Sequence, residues 1–191
     1  MTNAFIIHGT IGSPDENWFP WLKARLEKLG CWVYVPRFPT PEKQSVENWM
    51  KVFENYERHV NGDTIFVGHS LGAIFILSLL ETLKCPLNCS GVKAAFLVAG
   101  FYGKLGTMHF DKINADFASK DFDWAKVRRS CRQFQLYASD NDPYVPFSKS
   151  VELAKKLGAG LKVIKDAGHF NRDAGYTRFD LLLEDIKKVI Q

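Results

Sequence analysis

Apolar positions in this 191-residue chain follow two alternating patterns. Short runs rich in β-branched and aromatic residues occur at residues 4–7, 32–35, 64–67, 94–98, 134–137 and 162–164. They are apolar at consecutive positions rather than at every second one, as expected of strands covered on both faces. Between them, apolar residues return every three or four positions. Phe19, Leu22, Leu26 and Leu29 form one such set, and Trp49, Val52, Phe53 and Tyr56 another. Val151, Leu153, Ala154 and Leu157 predict a helix that stops at Gly158, and Leu181 to Ile190 predicts an amphipathic closing helix. Residues 71–82 are apolar nearly all round, which predicts a helix buried against a sheet.

Alternating strands and helices build a parallel sheet with helices on both faces, and right-handed crossovers fix most of its topology. The expectation is an α/β fold in one domain, residues 1–191, with six parallel strands and about six helices. Residues 100–122 break the rhythm. A connection of that length is often functional, and its Phe101, Tyr102, Leu105, Met108 and Phe110 are suited to roofing a pocket. An irregular surface loop or a short extra helix is the plainer alternative.

The composition, 46% hydrophobic and 24% charged, is that of an ordinary globular protein. The formal charge of +4 is mild. The densest basic run, Lys126, Arg128, Arg129 and Arg132, lacks the interleaved aromatics of a nucleic-acid surface and reads as a solvated helix face. The longest apolar stretch, residues 73–80 with Ser78 inside it, is far short of the ~20 residues that cross a bilayer. No signal-peptide pattern opens the sequence, so the expectation is a cytoplasmic protein with no membrane or nucleic-acid partner. Cys31, Cys85, Cys89 and Cys131 form no C-x-x-C pair and have no metal-ligand spacing; they read as reduced core or loop residues. Trp18, Trp21, Trp32, Trp49 and Trp124 are all expected to pack against the sheet.

The strongest chemical signal is Gly68-His69-Ser70-Leu71-Gly72, a G-x-S-x-G motif. A strand run enters it and a helical run leaves it. That context places Ser70 on a sharp turn with its hydroxyl exposed and the helix N-terminus beside it. A serine hydroxyl is a weak nucleophile at neutral pH. It needs a base, and the base needs an orienting carboxylate. In this chain order, both partners follow the serine. After the fifth strand run the chain reads Asp140-Asn141-Asp142-Pro143-Tyr144-Val145-Pro146, and a D-x-x-V-P pattern favours Asp142 over Asp140, which suits a turn. After the last strand run comes Gly168-His169-Phe170, which makes His169 the candidate base. His59 falls on an exposed helical stretch, His109 in the irregular segment, and His69 inside the elbow, pointing away from the base's place. Two backbone donors must face the developing oxyanion. The amide of Leu71 is one; the loop Ile7-His8-Gly9-Thr10-Ile11-Gly12 supplies the other, with Thr10 preferred and Gly9 or Ile11 as alternatives. His8 reads as a structural hydrogen-bonding residue.

These features resemble the small serine-hydrolase family of α/β-hydrolase fold that includes retinoblastoma-binding protein 9. The residues that carry the resemblance are His8-Gly9, Trp18 and Trp21, Gly68 through Ala73, Ser139 through Pro143 with Val145-Pro146, and Gly168-His169-Phe170. The resemblance implies a compact domain with strand order 2-1-3-4-5-6 and a triad of Ser70, Asp142 and His169. It names no substrate. The L-x-C-x-E motif linked to retinoblastoma-protein binding is absent: Leu87-Asn88-Cys89-Ser90-Gly91 ends in glycine. The function expected is hydrolysis of a small ester, thioester or amide without metal or cofactor. A non-catalytic binding module on the same scaffold and an acyltransferase are the alternatives.

Overall fold

The computed structural model describes residues 1–82 and 91–190. The expectations for Cys85, Cys89 and residues 87–90 fall outside them. Six strands form one sheet in the order β2-β1-β3-β4-β5-β6, every neighbouring pair parallel: β1 (Asn3–Ile7), β2 (Trp32–Tyr34), β3 (Ile65–His69), β4 (Ala94–Val98), β5 (Phe134–Ser139) and β6 (Gly160–Ile164). The helices are α1 (Phe19–Lys28), α2 (Val46–Phe53), α3 (Leu71–Thr82), α4 (Met108–Ile113), α5 (Ala115–Ala118), α6 (Trp124–Arg129), α7 (Phe147–Leu157) and α8 (Asp180–Ile190).

Alternate strand residues feed two cores. Phe5, Ile7, Phe66, Ala95, Leu97 and Leu136 face α2, α3 and α7, while Ala4, Ile6, Val67, Phe96, Val98 and Tyr137 face α1 and α8. The central strands β1, β3 and β4 are buried at every position, which explains their unbroken apolar runs. Helix α3 is buried from Leu71 to Leu80 because it crosses the middle of the sheet. Local signals set the helix ends. The Ser45 hydroxyl accepts from the Asn48 amide at the start of α2, and the Asp123 carboxylate from the Lys126 amide at the start of α6. Gly158 closes α7 in the left-handed region at φ +64°.

Three expectations are corrected. There are eight α-helices among the described residues rather than about six, because α4, α5 and α6 are too short to show a helical period. The apolar repeat ending at Tyr56 spans α2 and a following 3-10 turn, Glu54–His59, rather than one helix. Trp32 is 61% exposed, because it lies on the edge strand β2, whereas Trp18 and Trp49 are fully buried. Lys126, Arg128 and Arg129 lie on the exposed side of α6. Cys31 and Cys131 are buried free thiols. No helix among the described residues is long and apolar enough to cross a membrane.

Candidate active site

The turn between β3 and α3 carries Ser70 at φ +55°, a left-handed conformation that costs a non-glycine residue energy and marks functional turns. The Ser70 amide donates to the Val98 carbonyl (2.9 Å), pinning the turn to the neighbouring strand β4. Gly72 has no room for a side chain. A Cβ there would lie 2.4 Å from the Ile7 carbonyl oxygen and 2.8 Å from that of His8, so α3 starts in contact with the end of β1. Gly9 is under a similar constraint, since its Cβ would meet that of Ser70 at 2.9 Å. The glycines thus bring the loop after β1 directly against the serine.

Asp142 follows β5, and both its carboxylate oxygens are engaged. Oδ1 accepts from the amides of Tyr144 (2.9 Å) and Val145 (3.0 Å), and Oδ2 pairs with His169 Nδ1 at 2.8 Å. Because the carboxylate only accepts, Nδ1 carries the proton and Nε2 is left as a base. Three more bonds, which the sequence reading did not foresee, join the two loops that present this pair. The Asp166 amide donates to Asp140 Oδ1 (2.8 Å), that of Ala167 to Ser139 Oγ (3.0 Å) and that of Gly168 to Asn141 Oδ1 (2.7 Å). Asp140 therefore holds the histidine loop rather than the imidazole.

His69 departs from the expectation that it points away. Its ring packs 4.7 Å from that of His169, and its Nε2–H donates to the His169 carbonyl (2.7 Å), which fixes the backbone of the candidate base. Burial first, and the neighbouring His169 second, pull the His69 imidazole down to about 3, so it stays neutral. His8 is buried and structural, as expected. Its Nδ1–H donates to the Gly9 carbonyl (2.9 Å), its Nε2 accepts from the Phe38 amide (3.0 Å), and burial lowers its affinity for a proton. His59 stacks on Tyr34, and His109 lies exposed on α4.

Of the candidate oxyanion donors, the Ile11 amide is taken by Thr40 Oγ1 (2.7 Å). The amides of Thr10 and Leu71 donate to no partner among the described residues. The Thr10 hydroxyl donates to Asn114 Oδ1 (2.6 Å), which ties this loop to the 100–122 segment.

Ser70, His169, Gly9 and Thr10 line one cavity of about 420 Å³. Leu105, Phe110, Tyr144 and Val145 supply its apolar side, and Glu16, Asn17, Arg172 and Asp173 its polar side. Tyr144 stands edge-on to His169, with ring centroids 5.0 Å apart, and packs against Phe110 at 5.4 Å. Burial raises the Glu16 carboxyl above its usual range, although Arg172 counteracts part of this. Of the residues expected to roof a pocket, Leu105 and Phe110 line the cavity, Phe101 sits in the core, and Met108 is 91% exposed. Among the described residues no cluster of side chains is arranged to hold a metal ion.

This arrangement, a strained serine and a carboxylate-bound imidazole lining one cavity at the C-terminal edge of a parallel sheet, suits acyl transfer. Comparison with known proteins agrees on the class. YdeN of Bacillus subtilis (strain 168) is 33% identical over 180 residues, covering 94% of this chain and 92% of that one. Serine hydrolase RBBP9 of Rattus norvegicus is 28% identical over 192 residues, 99% of this chain and 96% of that one. The crystal structure of the B. subtilis ydeN product superposes with a TM-score of 0.91 at 31% identity, covering 99% and 98% of the two chains. Est1E from Butyrivibrio proteoclasticus, at 15% identity and a TM-score of 0.69 over 98% of this chain and 87% of that one, shares the fold. The serine hydrolase family profile matches residues 4–188, and this chain belongs to that family.

Proposed function

We propose that the protein hydrolyses a small carboxylic ester, thioester or amide through an acyl-enzyme on Ser70. In this reading Ser70 Oγ attacks the substrate carbonyl carbon while His169 Nε2 takes the hydroxyl proton. Asp142 holds the imidazole in the required tautomer and stabilises the imidazolium. The amides of Thr10 and Leu71 receive the negative oxygen. His169 returns the proton to the leaving group. It then takes one from water as the water attacks the acyl carbon, and passes it to Ser70 Oγ as the acyl–oxygen bond breaks, which releases the acid and free Ser70. The chemistry needs no metal or cofactor.

The observation that carries the reading is the 2.8 Å bond between His169 Nδ1 and Asp142 Oδ2, made beside the cavity that Ser70 lines at φ +55°. The cavity, with its apolar side, suits a modest acyl group. A fluorophosphonate probe tests the reading without knowledge of the natural substrate, since an activated serine forms an Oγ–P bond and releases fluoride. Wild type is expected to label and Ser70→Ala to stay unlabelled. Well-folded wild type that resists the probe would favour a binding module on the same scaffold.

A further inference from the structure

Asn114 is 2% exposed yet lines the cavity. It follows the end of α4, and its carboxamide orientation is fixed by a chain of directional bonds. The Ile113 carbonyl can only accept, so the group bonded to it at 3.0 Å is the Gln44 side-chain nitrogen. That nitrogen also donates to Asn114 at 2.9 Å, so the Asn114 atom facing it is Oδ1. The Thr10 hydroxyl donates to the same oxygen at 2.6 Å. The far end of the chain agrees: Gln44 Oε1 accepts from the Thr40 hydroxyl (2.5 Å), whose oxygen accepts the Ile11 amide (2.7 Å). Turning the Asn114 amide over would set two NH₂ groups against each other.

Among the described residues no acceptor is bonded to Asn114 Nδ2. No fully enclosed side-chain nitrogen or oxygen among the described residues lacks a partner, so Nδ2 is not fully enclosed, and the cavity is the opening that Asn114 lines. A donor placed this way is a recognition element, because a buried polar group without a protein partner needs one from a ligand or water. Its neighbours describe the ligand. Phe110 is one helical turn earlier on the same face, with the Asn114 amide bonded to its carbonyl (2.8 Å), and it lines the same cavity. Beyond Phe110 come Tyr144 and then His169. Apolar surface and a neutral donor thus lie about 5 Å apart along one wall.

We propose that Asn114 is a specificity-determining residue whose Nδ2 donates to a neutral acceptor oxygen on the acyl group of the substrate. The site then selects short oxygen-substituted acyl groups, such as alkoxy or keto acids, over their hydrocarbon counterparts. This rests on the hydrolase reading, in which the acyl chain starts at the carbonyl held by Thr10, the residue to which Asn114 is bonded. A carboxamide carries no charge to offset the desolvation of a carboxylate, so it suits an ether or ketone oxygen better.

The test compares p-nitrophenyl methoxyacetate with p-nitrophenyl butyrate, which differ by one oxygen in place of one methylene. Each kcat/KM is divided by the ester's rate with hydroxide. Wild type is expected to prefer the methoxyacetate by about tenfold, the worth of one neutral hydrogen bond. Asn114→Asp, which keeps the acceptor and loses the donor, and Asn114→Ala are each expected to bring the corrected ratio near one. The ratio cancels any loss common to both esters. A wild type without preference overturns the proposal. So do variants that keep the preference while losing both activities together, since Asn114 would then only hold the Thr10 loop. Wild type that resists a fluorophosphonate and hydrolyses neither ester overturns the hydrolase reading itself, and this proposal with it.

Discussion

At the scale of single residues, the candidate site holds two histidines in opposite ways. His169 keeps one nitrogen bonded to Asp142, while His69 beneath it is neutral and spends its N–H on the His169 carbonyl. Burial lowers the His69 pKa to about 3, against an ordinary value of 6.5. The folded state therefore binds fewer protons than the unfolded chain between those values, and stability must fall as pH drops through that window. Above about pH 6.5 this contribution is fully present; below it the loss approaches about 1.4 kcal/mol per pH unit at most. His69→Gln can keep a donor for the carbonyl without titrating. Thermal melting from pH 7.5 to 5 should show a shallower decline for the variant than for wild type. Parallel curves would mean that His69 is protonated in the fold. The sequence placed this histidine in the elbow but concealed its role, because the partner carbonyl lies 100 residues away.

At the scale of elements, the site is a junction of segment ends. The β3–α3 turn presses on the end of β1 through Gly72, and the loops after β5 and β6 are joined by side chains accepting backbone amides. Gly72→Ala puts a Cβ 2.4 Å from a backbone oxygen that has no rotamer by which to move away. It is expected to cost about 1–3 kcal/mol or more in stability, measured by urea unfolding. Activity should fall with it, since the start of α3 carries the Leu71 amide. Wild-type stability in this variant would show that the two segments separate freely. The elbow was legible because a glycine-flanked serine between a strand and a helix is a local pattern. The short helices α4 and α5 were not legible, nor was the Thr10–Asn114–Gln44–Thr40 network, whose members come from three separate stretches of the chain.

At the scale of the whole molecule, the fold was the most legible feature. Residues 4–7, 64–67 and 94–98 read as continuous apolar runs because helices cover both faces of the central strands, and the order 2-1-3-4-5-6 followed from the family resemblance. Edge strands were less clear: β6 begins two residues before its predicted start, and on its half-buried side toward α8 it carries Lys162, which bonds Asp185. A parallel sheet points all its C-terminal ends to one side, so three loops far apart in sequence deliver Ser70, Asp142 and His169 to the same edge. The central claim is that these three side chains work as one unit. Its most direct test is the turnover of a p-nitrophenyl ester by wild type, Ser70→Ala, His169→Ala and the double variant. Each single variant is predicted to lose about 10⁶ in kcat, and the double variant to lose no more than either. Losses that multiply in the double variant, or Ser70→Ala turning over like wild type, would contradict the account.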